Sequence, residues 1–201
     1  MRNIIVSSLE KSKSYLEYRN FVSEALQNSP EKLEIEESMI PYATLNETRL
    51  KRLDKTTQIG EESAHKMQQL SKSYIWLVIT ESWCGDAAQC LPILNKLAIL
   101  SNLVDLRLVF RDQNLELMDL FLTNGGRAIP KLLVLDPETK EVLGDWGPRP
   151  EGAVAYVEDY KAAHGALDEA GKEGLFKWYN ENKGKQIEEE VVAMMLDLEE
   201  K

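Results

Sequence analysis

Cysteine, histidine and long apolar runs are all scarce in this chain of 201 residues. Its two cysteines cannot build a disulfide scaffold, which favours a reducing compartment. The two histidines, His65 and His164, are isolated and lack metal-ligand spacing, so we expect exposed helix residues and no metal site. The longest apolar run, from Tyr74 to Ile79, is far too short to span a membrane.

Positively charged residues are also fewer than negatively charged ones. The chain carries 24 Lys and Arg against 34 Asp and Glu, a formal net charge of −10. Such an acidic balance argues against nucleic acid or an anionic membrane as the main partner. The N-terminal apolar stretch meets Glu10 and Lys11 too early for a signal peptide, so we expect a cytoplasmic protein. The sequence contains no phosphate-loop or other cofactor motif, and we predict no resident cofactor.

The first third of the chain, residues 1–70, is predicted to be a helical extension packed on the core. Apolar residues at helical spacing predict helices over 11–28 and 47–71. Residues 31–46 are expected to be irregular, because Pro41 breaks a helix. Asn46 is expected to cap the second helix, and Gly60 to interrupt it.

The middle part, residues 71–165, alternates between strand and helix patterns. Strands are predicted over 74–80, 104–110, 131–135 and 141–146, with helices over 86–100, 114–122 and 150–163. The first strands are joined by helices, and the last two by a short turn. This order predicts an α/β fold in which parallel pairing is followed by an antiparallel hairpin, with helices on both faces.

The last part, residues 166–201, is predicted to be a C-terminal helical extension with helices over 166–183 and 185–199. The final helix is amphipathic, with Ile187, Val191 and Leu198 on its apolar side and most of its acidic residues on the other. Such a helix packs on its own chain or on a partner, including the second copy of a dimer.

Cys84 is the residue that most clearly points to chemistry. It follows the apolar strand and begins the next helix, where free N–H groups and the helix dipole favour a thiolate. Asp86 opposes the thiolate, although an acidic residue also suits the first helical turn. Cys90 lies six residues further on, a rise of about 9 Å along a helix. A disulfide needs Cα atoms within about 7 Å, so we expect Cys90 to be a buried core residue.

These patterns resemble the thioredoxin fold over about residues 70–165, and more narrowly a bacterial thioredoxin-like family with a single thiol in its motif. The marks of this resemblance are Glu81-Ser82-Trp83-Cys84-Gly85-Asp86-Ala87, Arg111-Asp112-Gln113-Asn114, Asn124-Gly125-Gly126-Arg127, Ile129-Pro130-Lys131 and Trp146-Gly147-Pro148-Arg149-Pro150.

The resemblance implies roles for several of these residues. Cys84 matches the nucleophile of thioredoxins, whereas Ala87 stands where their second cysteine would be. Pro130 is expected to follow a cis peptide bond, with the backbone of Ile129 and Ala128 pairing with a bound extended peptide. The residues expected to shape the site around Cys84 are Trp83, Gly85, Asp86, Ala87, Ile129 and Pro130.

Three arginines, Arg111, Arg127 and Arg149, lie near predicted strand ends, where α/β sheets often form a ligand crevice. They are candidates for binding a carboxylate, such as one of glutathione, or for pairing with Asp86 or Asp112.

The sequence leaves three functional hypotheses. In the first, Cys84 performs monothiol thiol–disulfide exchange with a protein or peptide partner, and glutathione serves as co-substrate. In the second, the chain is a non-catalytic module that binds a protein or peptide. In the third, the first turn of the helix unwinds and Cys84 pairs with Cys90.

Overall fold

An apolar strand lies at the centre of a mixed sheet. The computed structural model describes residues 1–200, and its five-stranded sheet has the order β1-β3-β2-β4-β5. The central strand pairs in parallel with β3 and antiparallel with β4, and β4 pairs antiparallel with β5. The predicted α/β class is therefore confirmed, with a parallel pair followed by a hairpin. The strands are β1 (Lys13–Ser14), β2 (Tyr74–Thr80), β3 (Val104–Phe110), β4 (Lys131–Leu135) and β5 (Val142–Trp146).

Helices surround this sheet along the whole described chain. Short 3-10 helices occupy Pro30–Leu33 and Glu37–Met39. The helix predicted over 185–199 has the expected bounds. The helix predicted over 114–122 is only a single turn, Leu115–Met118. The α-helices are α1 (Arg2–Glu10), α2 (Tyr15–Asn28), α3 (Ile40–Thr56), α4 (Glu61–Gln68), α5 (Gly85–Ala98), α6 (Leu115–Met118), α7 (Glu151–His164), α8 (Glu169–Asn182) and α9 (Lys185–Glu199).

The predicted start of a helix at residue 11 is wrong. Residues 13–14 pair with β3 as a short edge strand, and the helix begins after Ser14. Ser14 accepts a hydrogen bond from the Glu17 N–H, while the Glu17 carboxylate accepts one from the Ser14 N–H at 2.7 Å. This capping box fixes the helix start, because it satisfies amides that would otherwise lack partners.

The prediction of irregular structure over 31–46 is wrong from Ile40 onward, where α3 begins. Pro41 stands in the first turn of α3, where its missing N–H removes no helical hydrogen bond. Asn46 is not a cap but a buried residue inside that helix, 2% exposed. Gly60 does interrupt the predicted 47–71 helix, since α3 ends at Thr56 and Gly60 caps α4.

A buried cluster of charges joins α2 to α3. The Arg19 guanidinium donates to both carboxylate oxygens of Glu47, at 3.0 and 3.1 Å, and to Asp54 at 2.8 Å. Because each of these groups would be costly to bury alone, the cluster fixes how the two helices face each other. Helix α3 then packs along α5, the helix that begins after Cys84.

Helix α9 packs on α4, α5 and β5 of its own chain. The sequence predicts that most acidic residues of α9 lie on the side opposite its apolar residues. Three of them instead bond to other parts of the chain. Glu188 accepts a hydrogen bond from the Gly60 N–H, and Glu190 accepts one from the Trp146 indole. Glu199 accepts hydrogen bonds from Ser71, Lys72 and Tyr74.

Both histidines are exposed on helices, as predicted. Across residues 1–200, none of the helices has the length and apolar character needed to cross a membrane.

Glu199 should make the docking of α9 sensitive to acid. Burial alone would raise its pKa, but the hydrogen bonds from Tyr74 and Ser71 lower the pKa from 4.5 to about 2. The stabilisation is therefore complete above pH 4.5 and is lost as the pH falls toward 2. We expect Glu199→Gln to lower the free energy of unfolding by about 1 kcal/mol at neutral pH.

Urea unfolding at several pH values measures this effect. In the Glu199→Gln protein the decline of stability in acid should be shallower than in the wild type. Glu200→Gln, which changes the exposed neighbour, is the matched control and should leave the profile unchanged. The same decline in both Glu199→Gln and wild type would contradict the account.

Candidate functional site

Cys84 is the N-cap residue of α5, and its thiol is buried. The sulfur accepts a hydrogen bond from the Ala87 N–H at 3.4 Å and the thiol donates to the carbonyl oxygen of Ile129 at 3.3 Å. The residue is 8% exposed. The thiol therefore does the work that a Ser or Asp side chain does at many helix starts.

Burial decides the protonation state of this thiol. It raises the pKa of Cys84 to about 12, and the negative charge of Asp86 adds to the increase. The N–H groups of Ala87 and Asp86 and the charge of Arg149 act in the opposite direction. The helix start thus favours the thiolate, as the sequence predicts, but desolvation outweighs it. In this conformation Cys84 is a protonated thiol.

Asp86 connects the start of α5 to two other parts of the chain. Its carboxylate accepts a hydrogen bond from the Arg149 guanidinium at 2.6 Å and another from the Tyr179 hydroxyl at 2.9 Å. Arg149 belongs to the loop after β5, and Tyr179 to α8. Of the alternatives that the sequence left for Arg149, the structure has the ion pair with Asp86.

Helices α3 and α8 cover the segment on either side of Cys84. The Asn46 amide donates to the carbonyl of Ser82 at 3.1 Å and accepts from Arg49 at 2.9 Å. The Arg49 guanidinium in turn lies 3.8 Å from the centre of the Phe176 ring. A Cβ atom at position 85 would lie only 2.8 Å from that ring, so Gly85 is needed for Phe176 to approach.

These covering residues carried no recognisable signal in the sequence. In the sequence Asn46 resembles a helix cap, and the spacing of Phe176 and Tyr179 fits any amphipathic helix. Their role depends on the tertiary packing of α3 and α8 against the start of α5, which no local pattern encodes.

The loop before β4 forms another wall of the site. The Ile129–Pro130 peptide bond is cis, as is Gly147–Pro148 in the neighbouring loop. Gly147 has φ of 109°, and a Cβ there would collide with the carbonyl oxygen of Pro130. Ile129 is buried and its carbonyl is occupied by the Cys84 thiol, whereas Ala128 is half-buried.

The three predicted arginines do not converge on one point. The Arg111 guanidinium lies 4.9 Å from the centre of the Trp83 ring and donates to the carbonyl of Arg127 at 3.3 Å. Arg127 forms a bidentate ion pair with Asp119, with hydrogen bonds of 2.7 and 2.8 Å. These two arginines therefore lie on the Trp83 side of the site, while Arg149 lies with Asp86.

Two other ionisable groups near the site are buried. Glu81 accepts a hydrogen bond from the Asp112 N–H at 2.9 Å, and burial raises its pKa to about 7. Cys90 is fully buried in α5, and burial raises its pKa well above the ordinary value. Both cysteines are free thiols. No group of three or more His, Cys, Asp or Glu side chains in residues 1–200 could hold a metal ion.

Comparison with solved structures identifies chains of the same fold. A protein of unknown function from Pseudomonas aeruginosa aligns over 92% of this chain and 98% of its own, with a TM-score of 0.58 and 18% identity. An HIV epitope-scaffold aligns over 92% of this chain and 99% of its own, with a TM-score of 0.54 and 18% identity. At this identity the likeness concerns the fold alone.

Comparison at the level of sequence gives the family. No curated protein matches the chain. A family model described as "Thioredoxin" matches residues 32–161, which include Cys84, the Ile129–Pro130 loop and all the strands except β1. Since this match covers well over half of the sequence, the chain belongs to that thioredoxin family.

Proposed function

We propose that this protein is a non-catalytic binding member of its family, which retains the thioredoxin-like fold without redox turnover. The observation that carries the proposal is the burial of the Cys84 thiol, which is 8% exposed, at a helix start where Phe176 of α8 lies against Gly85. A protein or peptide is the proposed partner. Two free, buried thiols also support a reducing cytoplasmic setting.

The protonation of Cys84 is the first argument. Thiol–disulfide exchange requires the thiolate. With a pKa of about 12, Cys84 is protonated at neutral pH. The Cys84 hydrogen also occupies the carbonyl of Ile129, a group that the family resemblance assigns to pairing with an extended peptide.

The missing second thiol is the other argument. Ala87 stands at the position from which a resolving cysteine would attack a mixed disulfide, and its N–H caps the sulfur of Cys84 instead. Cys90 is enclosed in the core along α5. A disulfide formed at Cys84 would therefore depend on an external thiol for its release.

A partner surface is available on the Trp83 side of the site. Trp83 is half-buried beneath Arg111, which donates to the backbone carbonyl of Arg127, and the Arg127 side chain is exposed. The segment that carries Asp119, the partner of Arg127, exposes three large apolar side chains, Leu115, Leu120 and Leu122. Because Arg111 and Arg127 are already paired with Asp112 and Asp119, this surface suits a peptide that presents mainly apolar residues.

Monothiol exchange is the second candidate function, and the position of Cys84 at the start of a 14-residue helix favours it. If α8 moved away, a Cys84 thiolate could attack one sulfur of glutathione disulfide. The sulfur–sulfur bond would break, a mixed disulfide would form at Cys84, and glutathione thiolate would leave. Glutathione would thus be a co-substrate, and another thiol would release the protein.

Glutathionylation distinguishes the two functions. In a Cys90→Ala protein, Cys84 is the only thiol. We expect no mass increase when this folded protein is mixed with glutathione disulfide at neutral pH, because the thiol is protonated and covered. The same protein in urea should form the adduct, which controls for the reagent. Rapid formation of the adduct by the folded protein would favour monothiol exchange.

Removing the aromatic cover should expose Cys84. Phe176→Ala deletes the ring that lies over Gly85, and we expect alkylation of Cys84 by iodoacetamide to accelerate about tenfold or more in the Cys90→Ala background. Phe176→Leu, which retains an apolar side chain, should have a smaller effect. Thermal unfolding should show that each variant remains folded under the assay conditions. Equal alkylation rates in all three proteins would show that α8 does not restrict access to Cys84.

A further inference from the structure

We propose that a cleft behind the Cys84 site binds a small anion that carries a carboxylate or phosphate group. The cleft lies between the end of α3, one side of α5 and the turn that joins α8 to α9, and its volume is about 560 Å³. Cavities that bind small molecules usually have volumes of about 300–1,000 Å³. Neither cysteine lines the cleft, so the proposal does not depend on whether Cys84 is reactive.

The charge of the cleft is opposite to that of the whole protein. Arg52 and Lys183 line it, and none of its lining residues within the described chain is acidic. Both cationic side chains are exposed, and Arg52 donates to the side-chain oxygen of Asn180 at 2.8 Å. In a chain of net charge −10, two cations without a lining carboxylate favour an anionic ligand.

The positive end of a helix also reaches the cleft. Gly184 lines it and is the cap residue of α9, a helix of 15 residues. Gly184 has no side chain that could cap the helix. The Asn182 side-chain oxygen accepts a hydrogen bond from the Gln186 N–H at 3.1 Å. The carboxylate of Glu188, in the first turn, bonds to Gly60 instead. A helix N-terminus of this kind attracts carboxylates and phosphates.

Gln89 gives independent support for a ligand. This residue of α5 lines the cleft and is only 4% exposed. Its amide makes no hydrogen bond to any other residue in the described part of the chain. Because Gln89 lines the cleft, a polar ligand there would have this amide as a hydrogen-bond partner. Its neighbours Leu53 and Ile93 supply an apolar wall for the body of the ligand.

Together these features define the ligand by its chemistry. A carboxylate or phosphate would lie near Arg52, Lys183 and the start of α9, and a carbonyl or hydroxyl would meet Gln89. Tyr179 also lines the cleft, but its hydroxyl is already bonded to Asp86, so it offers its ring rather than a hydrogen bond.

NMR titration of the full chain, labelled with nitrogen-15, tests the site. Succinate and inorganic phosphate are the probes, used in separate titrations at constant ionic strength, and glycerol is the neutral control. We expect at least one anion to shift the Gln89 side-chain amide and the Gly184 backbone amide with saturation, and glycerol to shift neither. The two anion titrations show whether the site prefers a carboxylate or a phosphate.

Variants show whether the anion binds in the cleft or is attracted to surface cations in general. The double change Arg52→Gln and Lys183→Gln should weaken binding about tenfold or more, because charged hydrogen bonds are lost. Lys177→Gln removes an exposed cation of α8 outside the cleft and should leave the affinity unchanged. The proposal is overturned if neither anion gives saturable shifts at Gln89 and Gly184, or if the double variant binds as tightly as the wild type.

Discussion

The Asp86 carboxylate is the interaction on which the arrangement of the site depends. One oxygen accepts from Arg149 of the loop after β5, and the other accepts from Tyr179 of α8. The start of α5, the edge of the sheet and the C-terminal helices are thereby held together beside Cys84. The same charge also helps to raise the pKa of that thiol. Asp86 therefore has two effects: it holds α8 and the loop after β5 against the start of α5, and its charge disfavours the thiolate form of Cys84.

The proposed loss of redox activity in a thioredoxin-like fold rests on the balance of two effects on the Cys84 pKa. A helix N-terminus stabilises an anion by about 0.3–1 kcal/mol at exposed positions, whereas burial shifts pKa values by up to several units. At Cys84 the second effect wins, and the pKa is about 12. A cysteine at the start of this helix is therefore not a thiolate by position alone, because the burial of the sulfur also affects its pKa.

Much of the fold could be predicted because its signals are local. The apolar run 74–80, the β-turn after Leu135 and the amphipathic 185–199 segment each identify their element. The errors occurred where one residue has two possible roles: Pro41 starts a helix instead of ending one, and Asn46 is buried inside it. The sequence also identified Cys84 as the central residue of the site, and it offered an ion pair with Asp86 as one of the roles of Arg149. It could not reveal Phe176, Tyr179 or Gln89, because their roles arise only when distant helices pack against α5.

The ionisation of Cys84 in the folded chain tests the central claim most directly. In a Cys90→Ala protein labelled with carbon-13 at the cysteine Cβ, the chemical shift of Cys84 reports its protonation as the pH is raised. The account predicts that the thiol remains protonated throughout the range in which an ordinary cysteine, with a pKa near 9, would ionise, since its own pKa is about 12. A titration midpoint at or below that of an ordinary cysteine would contradict it, and a midpoint at or below neutral pH would show that Cys84 is a reactive thiolate.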